Sequence, residues 1–161
     1  MGASEMAGGI MSSYDSTKDT IDHIEKVMEL LEKVVINLEG RSARHDASKL
    51  EEPEKSMYDE FTPKLRGSTY GSDEYKGFLQ DMGTALKHHY ENNSHHPEHY
   101  KNGINGMSLL DVIEMLVDWK AAGMRHANGN IQDSLKINKE RFGFSDQLAE
   151  ILENTVKELK W

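Results

Sequence analysis

The chain has 161 residues, 28 acidic and 19 basic side chains, a net charge of −9 and no cysteine. That length suits one domain with a core large enough to bury a site, and the acidic balance excludes a duplex-binding face, which needs basic residues to displace counterions. The missing cysteines exclude disulfides and thiolate metal sites, and no run approaches the roughly 20 apolar residues of a membrane span, so a cytoplasmic protein is expected.

Residues 1–15 begin MGASEMAGGIMSS, without the basic start or the apolar run of a signal peptide. They read as a disordered leader or a remnant of cloning, with Met11 as an alternative start, and the domain is expected over 16–161. The first helix is predicted from about Ser16 to Leu38 and closed by Gly40, with Ile21, Ile24, Met28, Leu31, Val35 and Leu38 as its apolar stripe. His23 shares a flank with Val27, Leu30 and Val34, at the edge of that stripe. A short segment, Ser42 to Leu50, carries RHDASKL and is halted by Glu51-Glu52-Pro53. Residues 53–61 allow another helical turn or two. Thr62 to Ser72 reads as a loop, either a lid or a plain surface excursion.

Ser72 is expected to cap a helix running to about Asn92, with Tyr75, Phe78, Leu79, Met82 and Leu86 on one face. His89 continues that face, while His88 falls with Asp81 and Thr84 on the polar side. Asn92-Asn93-Ser94 breaks the helix, and His95-His96-Pro97 starts a new segment. Ser108 with Asp111 makes a capping box for a helix reaching Gly123, and two more helices are predicted near 130–142 and 146–160, the second capped by Ser145. No alternating strand pattern appears. The fold expected is a single all-α domain of six or seven helices.

Five of the eight histidines lie in KHHYENNSHHPEHY. Each imidazole costs free energy to bury unless it is paired or ligated, and imidazoles with carboxylates suit first-row transition metals. His23, the pair His45-Asp46, the cluster from His88 to His99 and Asp118 therefore compose the ligand set of a buried metal centre. Adjacent residues on a helix point about 100° apart, so His45 and Asp46 face one ion only if their segment lies beside the site. Helical phase favours His89 over His88, and nothing separates His95 from His96. Asp118 competes with Asp111 and Glu114, which would otherwise form a solvated acidic face. Arg125, His126, Lys139 and Arg141 either contact a substrate phosphate or base, or belong to an ordinary solvated face. Trp119 either packs beside the site or stacks a base.

These residues in this order resemble the HD-domain superfamily, whose signature is a His, a His-Asp pair and a distant Asp on a helical bundle. The closest likeness is to a small bacterial and phage branch with HDxSK, then paired histidines around N-x-HH-x-E, then EMxxDW. Here the matching residues are His45-Asp46-Ala47-Ser48-Lys49, His88 to Glu98 with Asn93, and Glu114-Met115-Leu116-Val117-Asp118-Trp119. The resemblance covers roughly residues 17–160 and implies an HD-like bundle. It further implies that His23, His45, Asp46 and Asp118 hold a first metal. Asp46 would bridge to a second ion held by His89 and by His95 or His96.

The implied cofactor is one or two divalent transition-metal ions (Mn, Fe, Co, Ni or Zn). The implied reaction is attack of metal-bound hydroxide on phosphorus, with Asp46 and Lys49 as catalytic residues. Lys49 would neutralise substrate phosphate, and Arg125, His126, Lys139 and Arg141 are further candidate substrate contacts. The substrate would be a nucleotide or another small phosphate ester, with no nucleic-acid polymer and no membrane as partner and a homo-oligomer left open. Two alternatives remain at this stage: a di-iron oxygenase of the same class, and a ligand-binding protein in which the metal is a structural staple.

Overall fold

The computed structural model describes residues 14–69, 71–125 and 129–161, which form seven α-helices linked by turns, with no strand among the described residues. The all-α expectation holds. The chain divides into two units, Met1–Asn37 and Leu38–Trp161.

From Thr17 onward the first unit is helical and belongs to α1, Thr17–Arg44. Asp15 starts it by accepting from the backbone N–H and the hydroxyl of Thr17, at 3.0 and 2.6 Å. Lys18 pairs with Asp22 and Lys33 with Glu29 one turn apart, exposed contacts worth a few tenths of a kcal/mol each. α1 does not stop at Gly40 as expected but continues to Arg44. The left-handed residue that ends a helix falls instead at Asp46, with φ 57°. Arg41 in the last turn is held by the carboxylates of Asp111 and Glu114 at 2.7 and 2.9 Å, and these bonds favour continued helix across Gly40.

In the second unit a 3-10 turn, Ala47–Leu50, leads into α2, Glu54–Gly67. This helix runs through Pro63 into the stretch expected to be a loop. Proline forfeits one i→i−4 hydrogen bond but its φ is helical. Phe61, 6% exposed, anchors the helix against Phe78 with ring centroids 6.2 Å apart. The irregular segment therefore shortens to the residues after Gly67. The single helix expected from Ser72 to Asn92 is two, α3 Asp73–Asp81 and α4 Gly83–Asn92. Met82 is fully buried at the junction, and the low helix propensity of Gly83 makes that the weak point. Ser72 caps α3 as expected, accepting from the backbone N–H of Tyr75.

α5, Leu109–Gly123, opens with the full capping box of Ser108 and Asp111. α6 spans Ile131–Phe142 and ends at Gly143, whose φ of 62° suits a residue without Cβ. Gly129, just before α6, passes so close to Gly123 that an added Cβ would lie 2.0 Å from its carbonyl oxygen. α7, Asp146–Glu158, is capped by Ser145. The core joins these three helices through Val112, Met115, Leu116, Ile131, Leu135, Phe144, Leu152 and Val156. Trp119 stacks on Phe142 and Phe144 against this core, so its ring packs in the helix layer. No described helix is long and apolar enough to cross a membrane. Truncation of a fully packed side chain leaves a cavity, so Leu152→Ala should destabilise the chain by about 2–5 kcal/mol in urea unfolding. An unchanged midpoint would show that α7 is not part of the cooperative core.

Candidate metal centre

The chain is bent sharply into the site at Asp46. A non-glycine residue at φ 57° sits in a sparsely populated region that Asp tolerates better than most. The bend turns the Asp46 carboxylate inward beside the ring of His45, and the Asp46 carbonyl accepts from the Lys49 N–H at 2.9 Å to form the 3-10 turn. α4 delivers His89, and the segment after its end delivers His95 and His96. Asn93 fixes that segment, donating to the His89 carbonyl and to Ser48 Oγ, both at 2.8 Å. α5 supplies Asp111, Glu114 and Asp118, three, then four residues apart on one face.

Among the described residues, three groups have donor atoms close enough together to hold an ion. They are Asp46 with His89, His95 and His96; His45 with Asp46 and Asp118; and His45 with His95 and Glu114. The first two share Asp46. The third differs in kind, because it uses the opposite edge of the rings. Glu114 Oε1 lies 3.0 Å from His45 Nδ1 and 3.3 Å from His95 Nδ1. Glu54, at 0% exposure, likewise lies 2.7 Å from His88 Nδ1 and 2.8 Å from His89 Nδ1. An ionised carboxylate only accepts, so these contacts place the proton on Nδ1 and turn the Nε2 lone pair the other way. The Nε2 atoms of His89 and His95 reach Asp46 Oδ1 at 3.3 and 3.5 Å, and His45 Nε2 lies 3.6 Å from both Asp46 Oδ2 and Asp118 Oδ1. His96 Nε2 faces His89 Nε2 at 2.9 Å.

Two atoms at this focus, Asp46 Oδ1 and His95 Nε2, are buried and make no hydrogen bond among the described residues. A buried acceptor left so costs about 1–3 kcal/mol, and an ion satisfies both atoms at once. Nitrogen and carboxylate oxygen without sulfur is the donor set of a first-row divalent metal. The residues therefore fit a metal ion.

Electrostatics agree with that fit. Burial, reinforced by the neighbouring rings of His95 and His89, lowers the His96 pKa to about 3. Burial and Lys49 lower His89, and burial and His45 lower His95. All three rings are thus neutral at ordinary pH, the form in which an imidazole can ligate. His45 goes the other way: hydrogen bonding to Asp118 outweighs its burial and, with Glu114 and the charge of Asp46, raises it to about 9. Burial opposes ionisation of Asp118, yet the His45 hydrogen bond and the Lys49 charge hold it down at about 2. Asp46 is lowered against its burial by Lys49 and His45. With no cation present, a proton on His45 balances the acidic pair.

The structure sorts the sequence candidates. His45, Asp46, His89, His95, His96 and Asp118 come together, and both His95 and His96 point to the focus. Of the neighbouring pair, His89 is buried, whereas His88 is 39% exposed and shares Glu54. His99 is outside the groups and bonds the Tyr90 carbonyl. His23 is exposed in the first unit and belongs to none of the three groups. Lys49 lies beside the focus, 2.5 Å from Asp46 Oδ2. Arg141 bonds Glu98 and the Tyr90 hydroxyl, and the Tyr90 ring lies 5.1 Å from His96. Lys139 pairs with Asp146, Arg125 is exposed, and His126 lies outside the described residues.

Sequence reasoning missed Glu54 entirely, since a glutamate after Pro53 reads as a favourable helix start. It took Glu114 only as a rival of Asp118, although the four-residue spacing places both on one face. Asp111 is no solvated residue: it accepts from Ser108, Ser94, Tyr100 and Arg41.

Among known proteins, residues 12–158 match a family described as "Family of unknown function (DUF5662)". No curated protein and no solved structure matches the chain.

Loss of an orienting carboxylate typically costs 10–100-fold in metal affinity. Glu54→Gln should therefore weaken divalent-metal binding by about that factor while leaving helix content intact. Equal affinity would show that Glu54 does not orient His89. A metal must also displace the His45 proton at neutral pH, so affinity should rise with pH and level off above about 9. Calorimetry at pH 7.5 in buffers of different ionisation enthalpy should show proton release, and a heat independent of buffer would contradict this.

Proposed function

The chain belongs to the DUF5662 family, and from the geometry of its own site we propose that it is a metal-dependent phosphohydrolase acting on a nucleotide or another small phosphate ester. The observation carrying this reading is the convergence of four imidazoles with Asp46 and Asp118 beside one lysine. The order of motifs, which resembles that of HD-type hydrolases, supports it. His89, His95 and His96 with Asp46 would hold one ion, and His45 and Asp118 with Asp46 a second.

Divalent Mn, Fe, Co, Ni or Zn held there would lower the pKa of water and offset phosphoryl charge. The chain's own residues do the rest. Asp46 ties the two donor groups together through its two oxygens. Lys49, 2.5 Å from Asp46 and 4.8 Å above the Tyr58 ring, is held at the edge of the focus. With Asp46 also engaged by an ion, that pair would weaken and leave the ammonium to a phosphate oxygen. Burial, with Asp46 and Glu54 nearby, pushes the Tyr58 phenol far up, so it stays a hydrogen-bond donor. Arg141 bonds the hydroxyl of Tyr90, whose ring lies 5.1 Å from His96. Arg125 and Lys139 have no geometric support as substrate contacts.

Purified chain reconstituted with each metal should release phosphate, pyrophosphate or a nucleoside from a panel of mono-, di-, tri- and cyclic nucleotides. Asp46→Ala should lose metal and turnover together. Lys49→Ala should keep metal and lose about 10²–10³-fold in rate, the scale of one electrostatic contact to the transition state. Silence across the panel would sink the proposal. Turnover that stops without oxygen would replace hydrolysis with an oxidative reaction.

A further inference from the structure

The first unit's helix carries a repeat that the metal site does not use. Ile21, Ile24, Met28, Leu31, Val35 and Leu38 follow one another at intervals of three, four, three, four and three residues. That is a 3.5-residue period, which keeps its seam facing another helix along its length. Val27 and Val34 widen the stripe on one side. Ile21, Ile24, Val27, Met28, Leu31, Val34 and Val35 keep between 39 and 65% of their surface exposed. An exposed apolar run of this size marks an interaction surface.

We propose that this stripe is the seam of a homodimer in which α1 packs antiparallel on α1 of a second copy. The heptad is self-complementary in that sense. With Met28 opposite Leu31 of the other copy, Ile24 meets Val35 and Ile21 meets Leu38, so every apolar layer is filled. The positions beside the seam choose the orientation. In a parallel pair Val27 and Val34 would face Glu32 and Glu39 of the other helix. In the antiparallel pair Val27 meets Val34, Lys18 meets Glu39, and Glu25 faces Glu32 on the water-exposed edge, where screening keeps their repulsion small. Each seam side chain gives up on the order of 60–120 Å², so two copies together reach the roughly 1,200–2,000 Å² of stable pairs. A two-fold axis uses the same surface on both chains.

Sedimentation velocity of the full chain, from low to several hundred micromolar, should give twice the 18.3 kDa chain mass. Leu31→Glu should shift it to monomer while helix content and metal binding persist. The native chain has no cysteine, so mild oxidation of an Ile24→Cys, Val35→Cys double variant should yield a covalent dimer. Ile24→Cys alone should not. A monomer across the whole range, a higher oligomer, or cross-linking by the single variant would each overturn the proposal.

Discussion

A histidine presents one nitrogen to an ion only if the proton on its other nitrogen is held elsewhere. Glu54 and Glu114 impose that condition here. Glu54 holds Nδ1 of His88 and His89, Glu114 holds Nδ1 of His45 and His95, and the Nε2 edges of His45, His89 and His95 then face Asp46 or Asp118. Removal of either carboxylate would free the rings it holds to turn, and the alignment of their lone pairs would weaken. The remaining features of the second unit supply the parts this constraint needs.

The constraint reaches well beyond the rings. Arg41 joins Glu114 to Asp111, and Asp111 closes the capping box of α5 while accepting from Ser94 and Tyr100. The end of α1, the segment before His95 and the start of α5 are thereby linked through charge-assisted bonds, which are the strong ones. On the other side, Glu54 opens α2 and reaches α4. The apolar core of α5, α6 and α7 provides the rigid backing on which Glu114 and Asp118 are carried. At Asp46 an unfavourable backbone angle places the carboxylate shared by two donor groups, as is common where a site dictates the chain path.

Much of the fold was legible in the sequence. Serine caps at Ser72, Ser108 and Ser145 act locally, through bonds to a backbone N–H three residues away, and the structure has all three. Breaks were less legible, because a helix end is a competition. Gly40 lost to the anchoring of Arg41, Pro63 to the packing of Phe61, and the junction at Met82–Gly83 divides a stripe that periodicity presents as continuous. At the site, helical phase alone separated His89 from His88, because burial of a helical face is a local property. His95 and His96 follow the helix end, where no period applies, and only the packed chain turns both inward. Periodicity marks the stripe of α1 as apolar but does not report what covers it.

By itself the sequence determined the helical class, the capping signals and the chemical identity of the donors: nitrogen and oxygen, no sulfur, with a lysine one turn from the His-Asp pair. These follow from residue type and short spacing, which act within a few residues. Tertiary structure decided which nitrogen of each ring points where, because that depends on Glu54 lying 35 positions from His89 and Glu114 lying 69 from His45. No spacing rule carries information over such separations. Only the packing of α2, α4 and α5 brings those carboxylates to the rings, and with them a direction to each lone pair.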